Sequence, residues 1–246
     1  MGRKYKNPPI IEAVCEFRFT QDTHWDIAIP GLFYEQVKDP FSKREQRVVQ
    51  EVEITSGPQG LQQQVRLVER ILMFAEDRKT LVQLGPRLLV INSLKPYPTW
   101  RGFKPYIERA WKGLQDIVEV KGLERIGLRY INRIELPTQS AKLEEYFEFY
   151  PFISPRLPQD LVSFIAGGEF AYADGRDHCR VQLTPAPGAT NEKVAILLDI
   201  DYFLVRRSGV EVSRALDWVE EAHSRVEEVF ESCITDRLRE LFEEVK

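Results

Sequence analysis

Residues Gly122–Pro137 read GLERIGLRYINRIELP, and the period of that stretch decides the fold. At alternate positions Ile126, Leu128, Tyr130, Ile134 and Leu136 share one face. Arg125, Arg129, Arg133 and Glu135 share the other, interrupted by Ile131. Successive side chains of an extended backbone point to opposite sides, so this pattern predicts a strand with one face on a core and one in water. Pro8–Thr20, PPIIEAVCEFRFT, alternates in the same way with acids leading. There Ile11, Ala13, Cys15, Phe17 and Phe19 oppose Glu12, Glu16 and Arg18. Two such strands point to an internal duplication.

Between and beyond them the chain reads as a meander. Gln21–Pro30 is expected to be a loop and Gly31–Val37 a short helix stopped by Asp39-Pro40. Val48–Thr55, Leu61–Val68, Arg70–Ala75 and Thr80–Ser93 read as strands, the last bulged at Gly85-Pro86, with Ser56-Gly57-Pro58 as a breaker. Arg101–Val118 carries one apolar stripe at three- and four-residue spacing and predicts a helix. After Gly122–Pro137 comes a short helix at Ala141–Tyr150, closed by Pro151. Strands follow at Val162–Tyr172, Cys179–Thr184 and Val194–Leu204, with Pro185–Asn191 as a surface loop and Gly167-Gly168 marking a bulge or bend. Val212–Glu244 predicts a long helix, about 50 Å if unbroken, although Thr235-Asp236 could cap a second one.

The expected fold class is therefore α+β, in two similar halves, 1–121 and 122–246, that form one compact unit. Each half runs strand, short helix, three or four strands, long helix. A curved antiparallel sheet packed on long helices satisfies the single apolar face of each element, since those faces can only be buried against one another. This order resembles TATA-binding-protein-like and helix-grip architectures. It also brings the two leading strands together, with Glu12 and Glu16 facing Arg129 and Arg133.

Composition narrows the function classes. Hydrophobic residues are 43% and charged residues 29% of the 246, ordinary values for a globular chain. Glu211–Lys246 holds eleven acids and five bases, so the acidity sits at that end and no basic field marks a nucleic-acid binder. Three isolated cysteines without CxxC spacing exclude a disulfide framework or zinc site. The first residues, MGRKYK, lack the apolar core of a secretory signal and the serine or threonine of a myristoylation site. Without an apolar run long enough to span a bilayer, the expected setting is the reducing cytoplasm with no membrane contact.

PPIIEAVCEFRF, ERIGLRYINRIELP and AHSRVEEVFESCITDRLRELF, in this order, resemble a sporadically distributed, largely uncharacterised prokaryotic protein family. The resemblance covers nearly the whole chain. It implies no reaction, no cofactor and no catalytic residues to carry over, and its scattered occurrence is compatible with an accessory or defence-linked role.

Candidate sites follow from the exposed faces. Arg125, Arg129 and Arg133 suit a phosphate or carboxylate, which a guanidinium fork can grip. Asp199 and Asp201, on one face of the Val194–Leu204 strand, could hold a divalent cation or act in acid–base work. The competing reading is that these groups pair with one another across strands. Arg101–Arg133 holds eight bases and four acids beside Phe103, Tyr106 and Trp111, a nucleic-acid pattern, but Phe103 and Trp111 lie in the helix stripe and read as core. No HExxH, GxSxG, P-loop or GxGxxG pattern occurs, and the three histidines form no constellation, so no catalytic residue, metal site or cofactor is assigned. If the last helix outruns the sheet, Leu238, Leu241, Phe242 and Val245 need another surface, supplied by a homodimer or a protein partner. The expected function is non-enzymatic binding, through a partner or small ligand on the sheet face or C-terminal helix. A nucleic-acid-associated protein of a mobile or defence system is the alternative, and an enzyme using the Arg/Asp face is the third reading.

Overall fold

In the computed structural model, which describes residues 3–57, 60–137, 142–158, 163–187 and 194–245, alternation becomes architecture as expected. Strands β1 (Ile10–Phe19) and β6 (Leu123–Glu135) pair antiparallel in the middle of one sheet. Their inner faces carry Ala13, Cys15, Phe17 and Phe19, and Ile126, Leu128, Tyr130 and Ile134, all buried. Helices cover that side. α1 (Ile29–Val37) packs on α2 (Trp100–Gln115), α2 on the two strands that precede it, Thr80–Gly85 and Leu88–Leu94, and α3 (Ala215–Cys233) on β6. Trp111 of α2 stacks on Phe17 at 4.5 Å between ring centroids, which places it in the core, as its position in the stripe predicted.

The remaining strands are β2 (Lys43–Gly57), β3 (Gly60–Phe74), β4 (Thr80–Gly85), β5 (Leu88–Leu94), β7 (Ala166–Tyr172), β8 (Asp177–Pro185) and β9 (Ala195–Leu204). Among the described residues they form one nine-stranded sheet in the order β2-β3-β4-β5-β1-β6-β9-β8-β7, every neighbouring pair antiparallel. With four α-helices among the described residues, the chain is α+β. From Gly60 to Arg70 β3 pairs with β2 alone, so most of this hairpin stands clear of β4.

Several boundaries differ from expectation, each for a local reason. Thr80–Ser93 is two strands rather than one bulged strand, because Pro86 has no N–H to donate and Arg87 takes a left-handed φ of 56°. Leu61–Val68 and Arg70–Ala75 are a single strand, β3, held along its length by β2. Gly167-Gly168 produces no bulge, since the β7–β8 register runs unshifted. Only a 3₁₀ turn, Leu143–Glu145, replaces the helix expected at Ala141–Tyr150, and Ala141 itself lies outside the described residues. Val162 and residues 188–191 of the predicted loop lie outside them too.

The last helix does not run unbroken. After α3, Ile234 and Thr235 turn extended, and α4 (Asp236–Phe242) starts again at the position where a second cap was foreseen. Thr235 does not cap through its own hydroxyl, which instead donates to the Glu145 carbonyl at 2.7 Å. The break returns α4 to the molecule. Leu238 and Phe242 are buried, while Leu241 and Val245 are 41% and 50% exposed. Only the latter two meet the premise that this end needs an outside surface.

Candidate functional site

The outer face of β1, β6 and β9 brings Arg125, Arg129 and Asp201 around one open depression of about 1070 Å³. Its geometry starts with an absent side chain. Glu16 on β1 faces Gly127 on β6, and a Cβ at 127 would come within 2.6 Å of the Arg125 Nη1. Glycine therefore leaves the slot in which the Arg125 guanidinium lies across its own strand. From there Nη1 donates to Glu16 at 2.8 Å and Nη2 to both oxygens of Asp201 at 2.9 and 3.1 Å. Arg18 Nε donates to the same Glu16 oxygen, Oε1, at 2.9 Å. Arg129 grips Asp199 through Nε at 2.7 Å and through Nη2.

These partners differ from those expected across the central strands. Arg129 lies opposite Val14 rather than an acid of β1, and so turns to β9. Arg133 donates to the Pro187 carbonyl at 3.1 Å, and Glu12 accepts from Asn92 Nδ2 at 2.7 Å. The depression thus brings together Arg125, Arg129 and Asp201 with Glu16, Arg18, Arg87, Glu124 and Arg207, while Arg133 and Asp199 do not line it. Arg207 pairs with Glu124 at 3.0 Å. Arg87, on the tight β4–β5 turn, has no ion pair among the described residues.

One guanidinium serves two carboxylates with opposite results. Burial pushes the Glu16 carboxyl up, but Arg125 and Arg18 outweigh burial and hold it below the ordinary range. Burial also pushes Asp201 up, and here Arg125 and Arg129 do not fully offset it, so it stays above the ordinary range. Asp199 and Asp201 each have an arginine at their oxygens, so a cation would have to displace it. Among the described residues no group of three or more His, Cys, Asp or Glu gathers as a metal site. Phe203 adds an aromatic floor, with the Arg125 and Arg180 guanidinium carbons 4.8 and 5.4 Å from its ring centroid.

Sequence reasoning missed two clusters on the helix side. Asp177 is fully buried and accepts from Arg176, from Tyr202 Oη at 3.1 Å and from Trp218 Nε1 at 3.0 Å. His223 lies against Trp100, ring centroids 4.2 Å apart and 16° from parallel, and its Nδ1 is 3.3 Å from the Tyr130 hydroxyl. Tyr130 continues to Tyr97, hydroxyl to hydroxyl at 2.9 Å. Burial, with help from Lys104 and against Glu220, pulls His223 down to about 4. The signal available for it was its place beside the α3 stripe, and nothing local pointed to Trp100. The three cysteines are buried, and burial pushes Cys179 and Cys233 up to about 12, so neither is a thiolate at neutral pH.

No helix among the described residues is long and apolar enough to cross a membrane. No protein-family model matches this chain, and neither does any curated protein.

Proposed function

We propose that this chain is a non-enzymatic binding protein of the cytoplasm whose ligand-contacting surface is the outer sheet face around the β1–β6 seam. The observation that carries this reading is the depression beside that seam, where five arginines meet three acids and Arg87 has no ion pair among the described residues. The Arg87 guanidinium, left over after this internal pairing, favours an anion, a phosphate or carboxylate, whose oxygens accept two N–H bonds at once. A partner contact at Leu241 and Val245 is the second part of the proposal, with a homodimer as its simplest form.

The doubled reading of the fold belongs here as well. β1 and β6 each open a run of strands, each pairs with the last strand of its own run, and each run is followed by a helix. That order supports two related halves, 1–121 and 122–246, in a TATA-binding-protein-like or helix-grip-like layout. It also keeps open kinship with the prokaryotic family resembled by the three motifs.

Isothermal titration with inorganic pyrophosphate tests the anion site. Arg87→Glu and Arg129→Glu are expected to abolish the heat of binding while leaving the thermal midpoint within a few degrees. Unchanged binding in both variants would refute the site, and unfolding of Arg129→Glu would mark that arginine as structural. A salt-dependent shift with DNA or RNA would favour a nucleic-acid role instead. An activity lost with Asp199→Asn or Asp201→Asn would favour an enzyme.

A further inference from the structure

Phe242 is covered by a segment from far away in the chain. The segment Arg3–Asn7 runs beside the end of α4 with three backbone hydrogen bonds, Lys6 N to Glu243 O, Asn7 N to Phe242 O, and Val245 N to Lys4 O, at 3.1, 3.1 and 2.8 Å. Its Tyr5 ring meets Phe242 and Phe230 edge-on, with centroids 5.6 and 6.4 Å away. The Tyr5 hydroxyl donates to Glu231 at 2.6 Å. Bases on either side of the tyrosine meet acids: Arg3 reaches Glu244 at 3.0 Å and Lys6 reaches Glu243 at 3.1 Å. Glu243 itself sits at a left-handed φ of 55°, a conformation that disfavours a residue with a side chain, and the strap holds its carbonyl and carboxylate there.

This is the anatomy of a short-peptide site: an aromatic slot with an acceptor at its base, an acidic rim, and backbone groups that pair with an extended strand. We propose that the α3–α4 groove is a docking site for a protein segment of the pattern basic–tyrosine–basic in extended conformation, and that Arg3–Asn7 is its built-in, displaceable occupant. The proposal names the partner chemistry of the C-terminal contact proposed above, and it is independent of the anion site on the outer face. The strap side chains at the rim favour displacement, since Arg3 and Lys6 are 47% and 64% exposed and their ion pairs are individually weak. An occupant that must be displaced lowers the apparent affinity for a competitor by the fraction of time the groove stands open.

The test uses the full chain and a fluorescein-labelled peptide with the sequence of residues 3–7, followed by fluorescence anisotropy at physiological ionic strength. Tyr5→Ala is expected to bind the peptide about ten-fold more tightly than the unaltered chain. The pair Arg3→Glu with Lys6→Glu, which leaves no cavity, is expected to act in the same direction and covers the case in which Tyr5→Ala does not fold. Adding Glu231→Gln and Phe230→Ala to either should abolish binding, as should a peptide with alanine for tyrosine. Equal affinity in all proteins, no binding by the strap variants, or binding that survives loss of Glu231 and Phe230 would overturn the proposal. A contact confined to Leu241 and Val245 would outlive that failure, because it would appear in light scattering as an oligomer dissolved by Leu241→Asp.

Discussion

Asp177 on β8 and Asp201 on β9 are both held by an arginine, yet one lies in the core and the other at the edge of water. Asp177 faces the helices, where Arg176, Tyr202 and Trp218 supply donors from the preceding turn, from β9 and from α3. Asp201 faces outward and shares a single guanidinium with Glu16. The same chemical pair therefore does two jobs. Inside, the carboxylate ties elements together, and removing it strands donors that cannot turn to solvent. Outside, the pair is half-buried, with the Asp201 side chain 17% and the Arg125 side chain 26% exposed, and it borders an open depression from which a ligand can reach the guanidinium.

The largest expected effect tests the inner half of that contrast. Asp177→Ala should cost about 3–5 kcal/mol, read as a drop in the urea midpoint at unchanged slope. A loss below about 1 kcal/mol would make the two aspartates equivalent and dissolve the comparison. Next comes pH. His223 titrates near 4 in the folded chain against about 6.5 when unfolded, so the fold favours its neutral form. Its contribution is therefore present above about pH 6.5 and is lost as pH falls toward 4, worth up to about 3 kcal/mol before screening. Glu220, Glu227, Lys104 and Tyr130 surround it, so the diagnostic is the difference between the unaltered chain and His223→Phe, whose midpoint should fall less over that window.

Smaller effects sharpen the outer half. Gly127→Ala should displace the Arg125 guanidinium, a flexible end that can move, at about 0.5–1 kcal/mol, with loss of coupling in an Arg125/Asp201 double-mutant cycle. Glu16→Gln should lower stability above about pH 5 and leave it unchanged under strongly acid conditions, because a carboxyl held below its ordinary range stabilises only when ionised. Asp201→Asn should cost less stability at neutral pH than Glu16→Gln does, since burial already opposes the Asp201 charge. A larger loss at Asp201 than at Glu16 would reverse the assignment.

What could be read from the sequence follows from how far its signals reach. Alternation in Pro8–Thr20 and Gly122–Pro137 is local, and so the central strands, their inner faces and the antiparallel sheet were legible. At Thr235-Asp236 the sequence offered two readings, an unbroken helix and a second cap, and the structure takes the second. Charge partners were not, because they depend on register: a slip of two residues decides whether Arg129 meets Val14 or one of the acids Glu12 and Glu16. Asp177 was hidden by its neighbours Asp174-Gly175-Arg176, which describe a turn, while the hydroxyl and indole that bury it come from β9 and α3. The Tyr5 slot was hidden by distance along the chain, since nothing near MGRKYK or FEEVK indicates that the two lie side by side.

That last adjacency bears on chain order. With Tyr5 bridged to Glu244, the described path closes nearly into a ring, and the passage from α2 to β6 is a short surface stretch around Lys121. A circular permutant joined through the clasp and reopened there would carry residues 122–246 ahead of 1–121 while keeping each hydrogen-bonded neighbour in the sheet. The order of the two runs along the polypeptide is then a matter of synthesis, and the ladder between β1 and β6 is what makes them one body.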